Sequence, residues 1–316
     1  MKKLILNAVI AATVLSFVSC DSECEERGGS VPAESILTIN AVPVDDTCVA
    51  TKSPISVFPE HAELGLFVTS GTLGNNYNNI PANSNVKSTL RESVWIQTPA
   101  VYLSTANATV FAYYPYSNEN TDGTKVAVEH TSQTDYLYGI QYAGQSAVNN
   151  ANPNVNIGMH HALAMIQFQF VKSNYTGPGK LTKIEIFNSS GTVLCSEGTM
   201  NIATGEITNT IGKSASASIE NISEGLVAIP ETASADVSTY PKVLVLPLKK
   251  EVASGNISIR FTIDGRSYTL GVPSGTKWEK STKYTYKIRL SGTEIKVGET
   301  SITDWIVGAT ENAEIG

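Results

Sequence analysis

Only four cysteines, four histidines and three tryptophans occur in this chain of 316 residues, so little of it is suited to metal or nucleophile chemistry. The cysteines, Cys20, Cys24, Cys48 and Cys195, form no C-x-x-C and no Cys/His pair at zinc-site spacing, which excludes a sequence-encoded zinc module. There is no G-x-S-x-G turn and no glycine-rich phosphate loop, which removes the serine-hydrolase elbow and the P-loop. Basic runs are absent too. With 22 basic residues against 29 acidic ones, nucleic acid and anionic lipid are poor partners on electrostatic grounds. No apolar run reaches the ~20 residues of a membrane-spanning helix, and no long amphipathic helical pattern follows the amino-terminal segment. Charge is sparse, at 16% of residues, yet 41% are hydrophobic. Val, Ile, Tyr and Phe are prominent among them, which excludes a disordered chain and suits an extracellular β protein rich in Ser, Thr, Asn and Gly.

What is present begins at the amino terminus. Lys2 and Lys3 precede an apolar run from Leu4 to Val18, broken only by Asn7, Thr13 and Ser16, and the run ends at Ser19-Cys20 before turning acidic. Charge, apolar stretch and cut site in that order make a secretory signal. The cysteine stands where a lipoprotein signal peptidase cuts, so residues 1–19 read as a lipoprotein signal peptide and Cys20 as the lipidated first residue of a mature chain, 20–316. A plain secretory signal with an incidental cysteine is the competing reading. Acyl chains on Cys20 would anchor the protein to a bacterial membrane without spanning it. The mature chain keeps 20 basic and 29 acidic residues. Cys24 and Cys48 could pair in an oxidising compartment, though spacing does not decide it. Cys195, within Val193-Leu194-Cys195, reads as a buried small hydrophobe.

Residues 20–34 form an acidic tether. Beyond them short alternating segments are separated by turn residues: 35–41, 64–69, 109–114, 164–171, 181–187, 192–196, 242–248, 256–263, 267–272 and 282–290. Period two is plainest in the last, where Tyr284, Tyr286, Ile288 and Leu290 share one face. Asp264-Gly265 between two such runs is a two-residue hairpin signal. Val86–Ser93 could form a turn or two of helix. This pattern predicts an all-β fold, with two tandem β-sandwiches at 35–155 and 156–316. The polar stretch 143–155 marks the boundary, unless it is a long loop within one domain.

No catalytic set emerges, and the expectation is a non-enzymatic protein without a cofactor or metal. His160 and His161 are adjacent, so on a strand they face opposite ways and chelate poorly. His61 and His130 fall in expected loops without neighbouring acids. Asp45-Asp46 lacks the further oxygen ligands of a calcium loop, and Asn188-Ser189-Ser190-Gly191 is a hairpin turn by composition. Tyrosines cluster in Tyr113-Tyr114-Pro115-Tyr116 and in Tyr136-Leu137-Tyr138. They could stack on sugars, but alternation sends every second ring inward and favours a core role.

The run Gly65-Leu66-Phe67-Val68, then Val110 to Tyr116, Asp135 to Tyr138, His161 to Phe168, Trp278, Lys283 to Tyr286, Ile295 to Val297 and Ile302 to Trp305 resembles the fimbrillin-like proteins of Bacteroidales, subunits and accessory proteins of the type V pilus. The resemblance implies two tandem transthyretin-like β-sandwiches and assembly by strand exchange. In that scheme a protease cuts after an arginine downstream of the first strand, the strand leaves, and a neighbour's strand fills the groove. Here the corresponding region reads Ala50-Thr51-Lys52. Arg27 lies before the first strand, 36–41, and Arg91 lies deep in the fold. The departure from the pattern shifts the expectation towards an uncut anchor or accessory role, or towards cleavage at Lys52 by another protease. The acidic stretch after Cys20 resembles the signal that exports such lipoproteins to the outer face of the outer membrane. The expected protein is therefore a lipid-anchored fimbrial subunit or fimbrillin-like adhesin. Its partners would be other fimbrial subunits, the outer membrane, and a host or glycan ligand. A surface glycan-binding lipoprotein is the alternative.

Overall fold

The computed structural model describes residues 35–44, 55–209, 216–220, 228–292 and 294–304. Among them the chain forms twenty strands, three short 3₁₀ turns and no α-helix. The first half contains β1 (Ser35–Ile36), β2 (Thr38–Pro43), β3 (Glu63–Thr69), β4 (Val86–Arg91), β5 (Val94–Thr98), β6 (Tyr102–Leu103), β7 (Thr109–Tyr114), β8 (Val126–Glu129), β9 (Leu137–Gln141) and β10 (Asn154–His161). The second contains β11 (Ala164–Ser173), β12 (Leu181–Asn188), β13 (Glu197–Asn201), β14 (Glu206–Asn209), β15 (Ser216–Glu220), β16 (Lys242–Val245), β17 (Ile257–Ile263), β18 (Arg266–Gly271), β19 (Thr282–Ser291) and β20 (Glu294–Asp304).

A seven-stranded sheet runs in the order β2-β10-β9-β7-β3-β4-β5. It rolls around an apolar core, bringing β2 and β5 at its two edges towards each other. Alternation explains the roll: Ile39 and Ala41 of β2, Leu64, Leu66 and Val68 of β3, and Val155, Ile157 and Met159 of β10 all point into that core. β1 leaves the sheet to pair with β6, Ile36 facing Tyr102.

Two four-stranded sheets, β16-β11-β19-β20 and β15-β12-β17-β18, face each other as a sandwich. Ile166, Phe168 and Phe170 of β11 and Tyr284, Tyr286, Ile288 and Leu290 of β19 meet Ile184 and Ile186 of β12 and Ile259, Phe261 and Ile263 of β17. Phe261 takes Phe168 and Phe170 edge-on, each at 5.2 Å between ring centres, a geometry that suits the ring quadrupoles. Trp278, fully buried, donates its indole N–H to the Tyr286 hydroxyl at 3.1 Å. The β17–β18 hairpin turns on Asp264 and Gly265 with φ of 49° and 75°, the two left-handed positions that an Asp-Gly pair favours.

A third apolar cluster joins these layers. Phe67, Phe111 and Tyr113 from the outer face of the rolled sheet pack with Met165 and Leu244, and with Val126, Val128 and Met200 from a small sheet ordered β14-β13-β8. In that sheet a strand from the first half, β8, pairs with one from the second, β13.

Several elements depart from the sequence expectation. Val86–Arg91 is strand, not helix, with Val86 and Ser88 buried. Residues 192–196 are not strand: the Asn188 side chain accepts from the backbone N–H groups of Val193 and Leu194 and donates to the Leu194 carbonyl, which folds the segment into a loop. Ile36 is half exposed, whereas Leu37, Ile39 and Ala41 are buried. The expected junction at 155/156 falls inside β10, and the chain changes sheets between His161 and Ala164.

Candidate functional site

The amino-terminal strand is held unlike any other in the rolled sheet. β2 is the terminal strand in the sheet order and, among the described residues, pairs as a strand only with β10, running parallel to it from Thr38 opposite Asn154 to Pro43 opposite Met159. Local sequence explains its form. Thr, Ile and Val favour extended backbone, and Pro43, which has no N–H, is tolerated at the end of an edge strand. The ladder is extended at both ends, by Thr38 N–H to the Pro153 carbonyl at 2.9 Å and by Val44 N–H to the Met159 carbonyl at 3.0 Å. Leu37, Ile39 and Ala41 enter the core, while Thr38, Asn40 and Val42 face outward. Fully burying a Leu or Ile is worth about 1.5–3 kcal/mol, so this edge strand also fills part of the core. Without it, β10 would present an unpaired backbone above alternate apolar seats.

Ahead of β3, Ile55 is fixed by a buried carboxylate. Its N–H donates to Asp135 Oδ2 at 2.7 Å, and Asp135 Oδ1 lies 2.9 Å from His161 Nδ1. Both side chains of the pair are buried. This tie links the segment before β3 to the approach to β9 and to the end of β10. Sequence reasoning paired no acid with a histidine because Asp135 and His161 stand 26 positions apart. Among the described residues no cluster of three or more His, Cys, Asp or Glu could hold a metal ion. The predicted lipidation residue Cys20 and the predicted processing residues Arg27 and Lys52 lie outside the described residues, as do Cys24, Asp45, Asp46 and Cys48. Cys195 is a buried thiol.

The tyrosine clusters act mainly as packing. Tyr113 is fully buried and covers Gly65, where an added Cβ would fall 2.0 Å from its ring. Its hydroxyl donates to Asn85 Oδ1 at 2.7 Å, and burial pushes its ionisation up. Tyr114 packs on Phe58, with 5.4 Å between ring centres. Tyr138 covers Gly205 and lies beside His160, at 5.7 Å between ring centres.

A further device is visible only in three dimensions. β16 is the edge of its sheet, and the side chain of Gln133 closes on it like another peptide unit. Gln133 Nε2 donates to the Leu244 carbonyl at 3.0 Å, and Leu244 N–H donates to Gln133 Oε1 at 2.8 Å. One step along, Leu246 N–H donates to Nδ1 of the buried His130 at 3.2 Å. No periodicity signals this capping, because the two segments are more than a hundred residues apart in sequence. On the outer face of β11, β19 and β20 a shallow cavity of about 340 Å³ is lined by Gln169, Lys287, Arg289 and Lys296. Lys287 and Lys296 already have partners of their own, so their charge alone does not define an anion seat.

No curated protein is significantly similar to the chain. Solved structures are. A candidate cell adhesion protein from Bacteroides uniformis aligns with a TM-score of 0.60 and 18% identity, covering 86% of this chain and 98% of that one. A candidate cell adhesion protein from Bacteroides ovatus gives 0.61 and 16%, covering 88% and 100%. A fimbrial protein from Bacteroides vulgatus gives 0.50 and 14%, covering 86% and 100%. At these identities the likeness establishes a shared fold. The family model described as fimbrillin-like matches residues 50–305, from just before β3 to the end of β20. With that span matched and the all-β architecture shared, this structural, non-enzymatic chain belongs to the fimbrillin-like family.

Proposed function

We propose that the protein is a surface-exposed fimbrial subunit or fimbrillin-like adhesin, anchored to the outer membrane through lipid on Cys20 and assembling with other fimbrial subunits by β-strand exchange to serve attachment. The observation that carries this reading is the seat of β2, an edge strand with one partner whose alternate side chains complete a core. Loss of that strand would leave unpaired N–H and C=O groups along β10 and vacant apolar sites, a demand that a neighbour's extended strand of matching alternation meets by β-augmentation. The placement of Ile55 adds support. A chain newly begun at Ser53 would be held two residues later by the Asp135 carboxylate, so cleavage after Lys52 would release β1 and β2 while leaving β3 secured. Fold similarity to candidate cell adhesion proteins and to a fimbrial protein supports the cell surface as the site of action. In this reading the chain comprises two transthyretin-like sandwiches in tandem.

Mass spectrometry of the amino terminus on intact cells tests the proposal. A mature chain beginning at Ser53, recovered in heat-stable ladders, supports a stalk subunit. One beginning with acylated Cys20, with the strand retained, supports an anchor or accessory role. A start at Gly28 would mean release from the lipid with β2 retained, which leaves assembly by this route unsupported.

A further inference from the structure

The outer faces of β2, β10 and β9 carry a patch of which Tyr138 alone packs against one of the three cores. The outward residues are Thr38, Asn40 and Val42 on β2, Asn154, Asn156, Gly158 and His160 on β10, and Tyr138 and Ile140 on β9. None of them is Asp, Glu, Lys or Arg. Register aligns Val42, Gly158 and Ile140 in one row across the three strands, with Asn40 and Asn156 opposite each other in the next. Tyr142, just past β9, completes the apolar row by covering Gly158: a Cβ there would fall 2.7 Å from the ring. Val42, Ile140 and Tyr142 are each about two-fifths exposed.

The polar row has a definite valence. Asn40 Nδ2 donates to Asn156 Oδ1 at 3.0 Å. Each amide carries two N–H donors and one acceptor oxygen, so the pair keeps Asn40 Oδ1 as acceptor and Asn156 Nδ2 as donor. Both side chains are exposed. An adjacent donor and acceptor suit two neighbouring hydroxyls. The rows lie two residues apart along the strands, about 6.6 Å at strand rise, which is the scale of a pyranose ring. The arrangement is also preorganised. Tyr142 N–H donates to the Asn156 carbonyl at 3.0 Å, and the Gln145 side chain both donates to that carbonyl and accepts from Asn156 N–H, each at 3.1 Å. The backbone that carries the ring and the amide is therefore fixed before any ligand arrives, which lowers the ordering cost of binding.

We propose that this face is a subsite for a neutral hexopyranose of a surface or host glycan, its C–H face on Tyr142 and Ile140 and a vicinal diol on the Asn40–Asn156 pair. The uncharged lining favours a neutral sugar over a uronate or sulfated one. A few part-exposed apolar side chains are also too little for a stable protein interface, which needs about 800 Å² per partner. The subsite includes Asn40 of β2 and so exists only in a chain that keeps that strand; binding by the uncut monomer is measured without any polymer, which separates its failure from that of strand exchange.

The test is affinity electrophoresis of the full chain through gels containing neutral polysaccharides (mannan, galactan and glucan) or acidic ones (pectate and a sulfated glycan), backed by saturation-transfer NMR with methyl hexopyranosides. At least one neutral polysaccharide should retard the protein. Tyr142→Ala and Asn156→Ala should each weaken that retardation about tenfold, the order expected for losing one stacked ring or its polar partner. Tyr142→Phe, which keeps the ring, and Tyr102→Ala, at an exposed tyrosine on β6, should leave it unchanged. Circular dichroism checks that each variant is folded, and Asn156→Ala carries the test if Tyr142→Ala is not. Retardation by acidic polysaccharides alone, no retardation at all, or retardation insensitive to both Tyr142→Ala and Asn156→Ala in folded protein overturns the proposal.

Discussion

Removing a single oxygen from Tyr286 should change both the stability of the sandwich and its response to alkali. Tyr286 is almost fully buried on β19, and its hydroxyl is the acceptor for the indole N–H of the fully buried Trp278. Tyr286→Phe keeps the ring but leaves that N–H without its acceptor, at about 1–3 kcal/mol. Tyr286→Ala also empties the space, at about 3–5 kcal/mol. Burial raises the hydroxyl's pKa from 10.0 to about 12. Below pH 10 both folded and unfolded chains hold the proton, so the group's full stabilising contribution is present. Between 10 and 12 the unfolded chain ionises and the folded one does not, so stability falls as pH rises, by about 1.4 kcal/mol per unit and about 3 kcal/mol in all. The assay is urea denaturation of parent and Tyr286→Phe from pH 7 to 12, followed by tryptophan fluorescence. At pH 7 the variant should be weaker. As pH passes 10 the gap should close, because the variant lacks one proton-linked loss, although other buried tyrosines such as Tyr113 and Tyr284 keep some alkaline sensitivity in both. Parallel curves, or equal stability at pH 7, would refute the role assigned to this bond.

Cys20→Ala should leave an unprocessed precursor and abolish labelling by a fatty-acid probe; undiminished labelling would exclude Cys20 as the lipid site. Lys52→Gln should block polymer growth if the protein is a stalk-type subunit and change nothing if it is an anchor, read from ladders of the surface protein. Gln133→Ala should cost about 1–3 kcal/mol, because the Leu244 N–H and carbonyl lose their partners at a covered edge; the check is the urea midpoint, and an unchanged midpoint would show that water replaces the amide without cost.

Local patterns were legible where the physics was local. The alternation of Tyr284 to Leu290 and the Asp264-Gly265 turn follow from period two or from turn chemistry within a few residues. Val86–Arg91 was misread because its polar and apolar residues fit a helical turn as readily as a strand, and pairing with β5 decided the matter. The 192–196 segment looked like a strand by composition, but one asparagine side chain took over its backbone groups. Long-range pairings left no such trace. β2 meets β10 across 116 positions. The Asp135–His161 tie, the Gln133 clasp on β16 and the Asn40–Asn156 pair are each formed by the fold, and no residue in them announces its partner.

The parallel pairing of β2 with β10 has a mechanical consequence. β10 passes at His161 directly towards β11 and the sheets beyond, while the chain, after the two-residue β1–β6 pairing, enters β2 at Thr38, beside Asn154. Tension between the amino end and those sheets therefore pulls the two strands in opposite senses along their common axis. That is shear, and it loads the ladder from Thr38 to Pro43 all at once, where an antiparallel pair pulled from one end would open bond by bond. Slanted, evenly spaced parallel bonds share such a load. A molecule tethered at its amino end and dragged by flow would meet the force with the strand geometry that resists it best, and would yield, when it did, by losing β2 as a unit.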